Sequence, residues 1–230
     1  YEKNKKAAEN NSFKNGKVYL FCDEFTNYYD VSVGIDAYEL LTALGYEVII
    51  TDHEESGRAF LSKGFLEEAQ EIANRNVTIF KDLISEDTPL IGIEPSAILT
   101  FRDEYLRLAK DKESAEKLSK NVFTVEEFFK AEIAKGKIHS GQFSDTEKTI
   151  KIHGHCHQKS LSTIEASFAM LNVPKNSTVT IYNSGCCGMA GSFGYEKEHY
   201  EISMQMGEDT LFPKIRATDS TTAIAAAGTS

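Results

Sequence analysis

Strand, helix, strand, glycine-bearing loop, helix and strand follow one another in that order twice along this chain of 230 residues. No other feature constrains the fold as strongly. Strand-like runs alternating with helical stretches are the pattern of a parallel sheet whose crossovers are helices. Their recurrence at a spacing of roughly 130 residues reads as an internal repeat. The expectation is an α/β fold of two tandem pseudo-repeats, each a small parallel sheet with flanking helices. In the first, strands are expected over 17–22, 47–51 and 89–93 and helices over 35–44 and 65–84, with a further helix carrying residues 102–110 and loops over 23–34 and 53–64. In the second, strands are expected over 149–154, 179–182 and 222–227 and helices over 159–171 and 195–207. Residues 112–148 break the rhythm and read as a helical connection, in which Thr124 and Glu127 form a capping box. The chain therefore divides into 1–16, a linker or truncated upstream helix; 17–111, the first unit; 112–148, the connection; and 149–230, the second unit.

Composition narrows the class. A hydrophobic share of 41% and a charged share of 26% are those of a globular chain rather than a disordered or fibrous one. Uncharged apolar runs such as Val48 to Ile50 and Ala223 to Ala227 fall far short of the ~20 residues a bilayer span requires. A net charge of −10 opposes binding to a phosphate backbone. The chain opens on Tyr1, lacks the apolar run of a signal peptide, and ends just after a strand-like run, so it reads as a fragment of a longer protein. Neither a G-x-G-x-x-G, a phosphate-binding P-loop nor a G-x-S-x-G motif occurs. Arg102 to Tyr105 reads as the acidic first turn of a helix.

Four cysteines in a chain this long do not make a disulfide scaffold, and two of them, Cys186 and Cys187, are adjacent. Their positions carry the argument. Cys156 lies just past the first strand of the second unit, and Cys186-Cys187-Gly188 lies just past the next strand. Glu24 and Glu55-Ser56-Gly57 stand at the matching places of the first unit, at nearly the same separation. Ligands of parallel α/β sheets bind at the carboxyl ends of the strands, so three thiols far apart in sequence are expected close together in space. Thiolates select zinc, copper(I) or iron–sulfur clusters. Gly188, Gly191 and Gly194 would let the backbone approach an inorganic group and offer it N–H donors. The plainer reading makes Cys186 and Cys187 small buried hydrophobes in a tight turn. His153, His155 and His157 alternate along one face. They read as a polar stripe facing solvent or, alternatively, as a supply of a fourth metal ligand or proton carrier through His155 or His157. Cys22 reads as a core thiol.

The runs GHCHQKSL, SGCCGMAGSFGYEKEHYEISMQMGE and FTNYYDVSVG resemble the cysteine-rich CCG domain over about residues 15–230. That domain occurs in tandem in the iron–sulfur subunits of glycolate oxidase, anaerobic glycerol-3-phosphate dehydrogenase, lactate-utilisation proteins and heterodisulfide reductase. The likeness is strongest to the C-terminal part of fused proteins that join an FAD-linked oxidase domain, ferredoxin-like motifs and a CCG pair, acting as D-lactate- or 2-hydroxyglutarate-type dehydrogenases.

The resemblance implies an iron–sulfur electron-transfer domain of a flavin-dependent 2-hydroxy acid oxidoreductase. Carried over by position, Cys156, Cys186, Cys187 and Gly188 would form the site of a cluster, of [4Fe–4S] type, in the intact protein. The last ligand of the family would follow Ser230, and the cysteine before it would fall near Gly228, so the fragment alone is expected to be without a cluster and inactive. Glu24, Glu55, Ser56 and Ala97 stand where the first unit of the family has cysteines, leaving a degenerate site in an acidic cleft with Asp23, Glu54 and Glu94, part of whose charge Arg58 and Lys63 would neutralise. The implied partners are an FAD-linked oxidase domain, holding FAD elsewhere, and an acceptor such as a quinone or a redox protein. The implied location is cytoplasmic, with peripheral attachment at the inner face of the membrane as a variant. The rival reading is a zinc-binding structural or interaction domain, with Cys156, Cys186, Cys187 and His155 or His157 in a tetrahedral site.

Overall fold

The computed structural model describes residues 13–228. Most of the expected linker over 1–16, and Ser230 with its neighbour, lie outside the described residues. The fold is mixed α/β with two small parallel sheets. In the first, β1 (Gly16–Phe21), β2 (Tyr46–Ile49), β3 (Leu90–Gly92) and β4 (Val122–Thr124) stand in the order β2-β1-β3-β4. In the second, β5 (Lys148–His153), β6 (Ser177–Ile181) and β7 (Ala223–Ala226) stand in the order β6-β5-β7. The central strands are nearly continuous apolar runs because parallel sheets are covered on both faces. Val18 and Leu20 pack on one side of β1 with Ile91, while Phe21 packs on the other with Leu90 and Val122. The second sheet has a smaller core, in which Ile150, Ile152 and Val179 meet Ile164, Phe168 and Leu171.

Around the first sheet run α1 (Glu24–Tyr28), α2 (Val31–Ala43), α3 (Arg58–Lys63), α4 (Leu66–Phe80), α5 (Pro95–Ile98), α6 (Glu104–Leu108), α7 (Lys112–Ser119) and α8 (Val125–Ala134). Around the second run α9 (Cys156–Leu161), α10 (Ile164–Leu171), α11 (Tyr200–Asp209) and α12 (Leu211–Arg216).

Several elements differ from the sequence expectation. The loop expected over 23–34 is helical, because Asp23 accepts the N–H groups of Phe25 and Thr26 at 2.9 Å each and caps α1. Part of the loop over 53–64 is also helical: α3 lies between Gly57 and Gly64, whose φ angles of +77° and +79° let the chain enter and leave the helix sharply. The helix expected over 159–171 begins earlier, at Cys156, and is broken at Ser162 and Thr163, where the Thr163 hydroxyl caps α10. The connection over 112–148 is not wholly helical. It gives β4 to the first sheet before the capping box of Thr124 and Glu127 opens α8.

The two sheets are tied together. Helix α8 packs on α10, and Arg102 donates to both oxygens of Glu127 (2.9 and 2.7 Å) and to the Leu161 carbonyl (2.9 Å). Tyr195 meets the rings of Phe25 and Tyr29, with centroids 6.2 and 5.1 Å apart, while Lys63 pairs with Glu196. Among the described residues no helix is long and apolar enough to cross a membrane.

Candidate thiol site at the strand ends

Cys156 is the first residue of α9, directly past the carboxyl end of β5, and solvent reaches it. Cys186 and Cys187 sit half-buried in the loop that leaves β6. Since β5 and β6 are neighbours in parallel register, with Ile152 beside Ile181, both segments emerge at the same edge. There the Cys156 thiol is in hydrogen-bonding contact with Cys186. Burial pushes the Cys156 thiol above its ordinary pKa, and the nearby sulfurs of Cys186 and Cys187 push it further. Burial likewise raises Cys187, against the N–H of Met189, which favours its thiolate.

Among the described residues no three Cys, His, Asp or Glu side chains converge as a metal-holding set. The chemistry of the donors nevertheless fits a thiolate-bound group. The Cys156 and Cys186 thiols are near enough to interact, and the Gly188 N–H points at Cys186 Sγ, 3.3 Å away.

The glycines of this loop have a second reason to be glycine. Gly188 has φ +92°, and a Cβ there would stand 2.1 Å from the Ser203 carbonyl of α11. A Cβ on Gly194 would meet Met189 and Ser203, and one on Gly191 would meet Ser62 of α3. The spacing expected to admit an inorganic group thus also lets the loop pack between α11 and the first sheet's helices.

The histidines do not form a stripe facing solvent. His153 and His155 are buried, and His157 is half-buried. The strand ends at His153, so alternation stops there. His153 Nδ1 lies 2.8 Å from the Ser184 hydroxyl. The Nδ1 of His155 accepts the His157 N–H, capping α9, while its Nε2 faces Glu94 Oε1 at 3.3 Å. Burial would push Glu94 up, but His155 and the Ser96 hydroxyl and N–H outweigh it and hold the carboxyl at about 2.

The acidic residues of the first unit are not one open cleft. Asp23 and Glu94 are buried, and Glu55 is exposed. The Glu24 carboxylate accepts the Ser56 N–H at 2.8 Å and the Ser56 hydroxyl at 2.7 Å. That hydroxyl accepts the Arg58 N–H at 3.0 Å, and the Tyr105 hydroxyl donates to the Ser56 carbonyl at 2.9 Å. Ala97 is fully buried in α5. Arg58 and Lys63 do not neutralise these carboxylates: Arg58 is buried, bonded to the Ser96 carbonyl (3.0 Å) and paired with Glu104, and Lys63 pairs with Glu196. Glu54 pairs with Arg75 at 3.0 Å. Burial pushes Asp23 up to about 7, despite bonds from Thr26, with Glu94 and Glu24 adding to the rise. Cys22 packs against the core, and burial lifts its pKa to about 11.

Sequence reasoning missed two features. Glu94–His155 joins segments about 60 residues apart and carries no local signature. Glu126, which lies between the two members of the capping box, is buried at the start of α8 with one carboxylate oxygen lacking a hydrogen-bond partner. Its pKa is raised by burial.

No family model matches the chain. It is 26% identical over 219 residues to D-2-hydroxyglutarate dehydrogenase of Haemophilus influenzae, covering 90% of this chain and 20% of that protein. To the protein of the same name in Escherichia coli it is 27% identical over 192 residues, 83% of this chain and 18% of the relative. A third relative is one subunit of the anaerobic glycerol-3-phosphate dehydrogenase of Escherichia coli, 24% identical over 204 residues that cover 87% of this chain and 50% of that subunit. The chain is thus similar to two dehydrogenases over about a fifth of their length, and to a subunit of a third over half of its length.

Proposed function

We propose that this chain is an iron–sulfur electron-transfer domain of the CCG type, working within a larger flavin-dependent oxidoreductase that acts on 2-hydroxy acids. Residues 149–230 are the thiol-bearing unit, 17–111 its counterpart with no thiol at the matching strand-end positions, and 112–148 the connection. The observation that carries the reading is the contact between Cys156 and Cys186, thiols far apart in sequence that meet past the ends of adjacent parallel strands. Cys156, Cys186 and Cys187 would hold the cluster, which supplies one-electron transfer when bound. The chain's own contribution is to bring the thiols to one edge, to aim the Gly188 N–H at Cys186 and to brace the loop on α11 and α3.

The repeat supports the assignment of roles. Pairing aligns Phe21 with Gly92 in one sheet and His153 with Ala226 in the other. Counting onward from those pairs, Asp23 matches His155 and Glu24 matches Cys156. Both Asp23 and His155 cap the helix that follows the central strand. Gly57 and Gly188 match as well, each with positive φ. The bond between Glu24 and Ser56 therefore stands where Cys156 meets the CC loop, so the first unit is a structural partner rather than a second redox site. The names of the relatives favour a dehydrogenase acting on 2-hydroxyglutarate or a similar hydroxy acid, with FAD on another domain and a quinone or redox protein as acceptor.

Iron, sulfide and zinc analysis of the full-length protein prepared without oxygen tests the reading. Iron with acid-labile sulfide and a visible absorbance band, lost on Cys156→Ser and Cys187→Ser but kept on Cys22→Ser, is expected. A colourless protein holding one zinc would defeat it in favour of the structural zinc domain. Residues 1–230 alone, with three thiols at the site, are expected to retain little or no cluster.

A further inference from the structure

Lys159 lies three residues after Cys156 in α9, so the two side chains share one face of that helix. A lysine near the carboxyl end of a helix is ordinary; the course of this one is not. Its stem folds back over the end of β5. A Cβ on Gly154 would stand 2.6 Å from Lys159 Cε and closer still to Ile164, so the stem lies in space that any other residue at 154 would fill. The lysine is thereby held beside the strand end where Cys156, Cys186 and Cys187 gather. Two groups on that edge feel its charge. It works against the rise that burial and the neighbouring sulfurs impose on the Cys156 thiol, and it adds to burial in lowering His153.

The other charges near this edge are already matched. Arg58 is paired with Glu104 and bonded to the Ser96 carbonyl, and Glu94 faces His155. Lys159 is exposed and makes no ion pair among the described residues. The first unit has no such cation. In the register that matches Glu24 with Cys156, Asn27 stands at the place of Lys159 and Cys22 at that of Gly154. There the Glu24 carboxylate is held by Ser56, and the residue three positions on is neutral. The cation goes with the thiols rather than with the fold.

We propose that Lys159 is a positioning residue of the thiol site, whose ammonium offsets the negative charge that the three sulfurs bring together. Resting on the iron–sulfur reading, the same charge raises the reduction potential of the bound cluster, because an added electron is more stable beside a cation. The offset of charge itself belongs to the chain and is present without any bound group.

Two alkylating reagents test this in the metal-free full-length protein. Iodoacetate is an anion and iodoacetamide is neutral, and both react with the same thiolate. The ratio of their rates at Cys156, mapped by mass spectrometry, therefore reports local charge and not the ionisation of the thiol. Lys159→Gln is expected to lower the ratio about threefold at low salt. Lys159→Arg should keep it near the parent value, and about 1 M salt should bring parent and Lys159→Gln together. In samples that hold iron and sulfide, the reduction potential of Lys159→Gln should lie below that of the parent, with Lys159→Arg close to the parent. A parent-like ratio in Lys159→Gln, an equal loss in both variants, or a potential that Lys159→Gln leaves unmoved would overturn the proposal. Absence of iron and sulfide would defeat the iron–sulfur reading alone, and the alkylation ratio would still decide the role of Lys159.

Discussion

His155 and Glu94 face each other across the junction of the two sheets, Nε2 to Oε1 at 3.3 Å, with both side chains nearly out of reach of water. One caps the helix that bears Cys156, and the other caps α5 at the end of β3. Removing the donor from a buried hydrogen bond to a charged acceptor costs about 1.5–3 kcal/mol. His155→Ala is expected to destabilise the protein by that order, read as a lower urea midpoint, because Glu94 keeps its charge and loses the imidazole that faces it. Glu94→Gln, which still offers an oxygen to His155, should cost less than half as much. Equal losses in the two variants would contradict the pairing.

Asp23 sets a stability slope in the opposite direction to most carboxylates. Its folded pKa, raised by burial from 3.8 to about 7, lies above the unfolded value. Its contribution is therefore fully present below the unfolded pKa and is lost as pH rises through about 7. Asp23→Asn keeps an acceptor for the cap and removes the titration. Urea midpoints measured between about pH 5 and about pH 9 should fall less steeply in the variant than in the parent. A parallel pair of curves would refute the assignment.

The thiols should separate by reactivity in the metal-free protein. Cys156 is open to solvent, whereas Cys22 is packed against the core with a pKa of about 11. At pH 8 a thiol of that pKa is only about a thousandth thiolate, the reactive form. Iodoacetamide is expected to label Cys156 well before Cys22, as read by mass spectrometry of timed samples. Labelling of Cys22 first would mean that the strand end is open.

Two glycines with similar backbone angles should respond very differently to alanine. Gly64 has φ +79° and nothing within 4 Å of an added Cβ, so Gly64→Ala should cost about 1–2 kcal/mol of backbone strain. At Gly188 the same strain is joined by a clash with the Ser203 carbonyl at 2.1 Å. Gly188→Ala should therefore lose several kcal/mol or displace the CC loop, and in the full-length protein it should lower iron content, whereas Gly64→Ala should leave iron content unchanged.

What could be read from the residues followed from local chemistry. The strand positions were legible because β-branched runs alternate with glycine-bearing loops, and the meeting of Cys156 with Cys186 followed from parallel topology alone. Helices α1 and α3 were hidden because a single turn or two offers no apolar period; only Asp23 and the paired glycines mark them. Strand β4 was hidden because its three residues run straight into the capping box that Thr124 begins. The histidines were misplaced because alternation holds only while a strand continues, and β5 ends at His153. Arg58 gave no sign that it would turn inward to Ser96 and Glu104, since a buried charge is decided by partners distant in sequence.

The Glu24 and Ser56 bonds described above make their loop a ratchet. Exchange Glu24 alone for cysteine, and the Ser56 amide and hydroxyl lose their common acceptor in a place water does not reach. Exchange Ser56 alone, and the amide of Arg58 loses its hydroxyl while Glu24 is left with a poorer donor. Each single step is uphill, so any passage between oxygen and sulfur chemistry in that half of the molecule has to move both positions together.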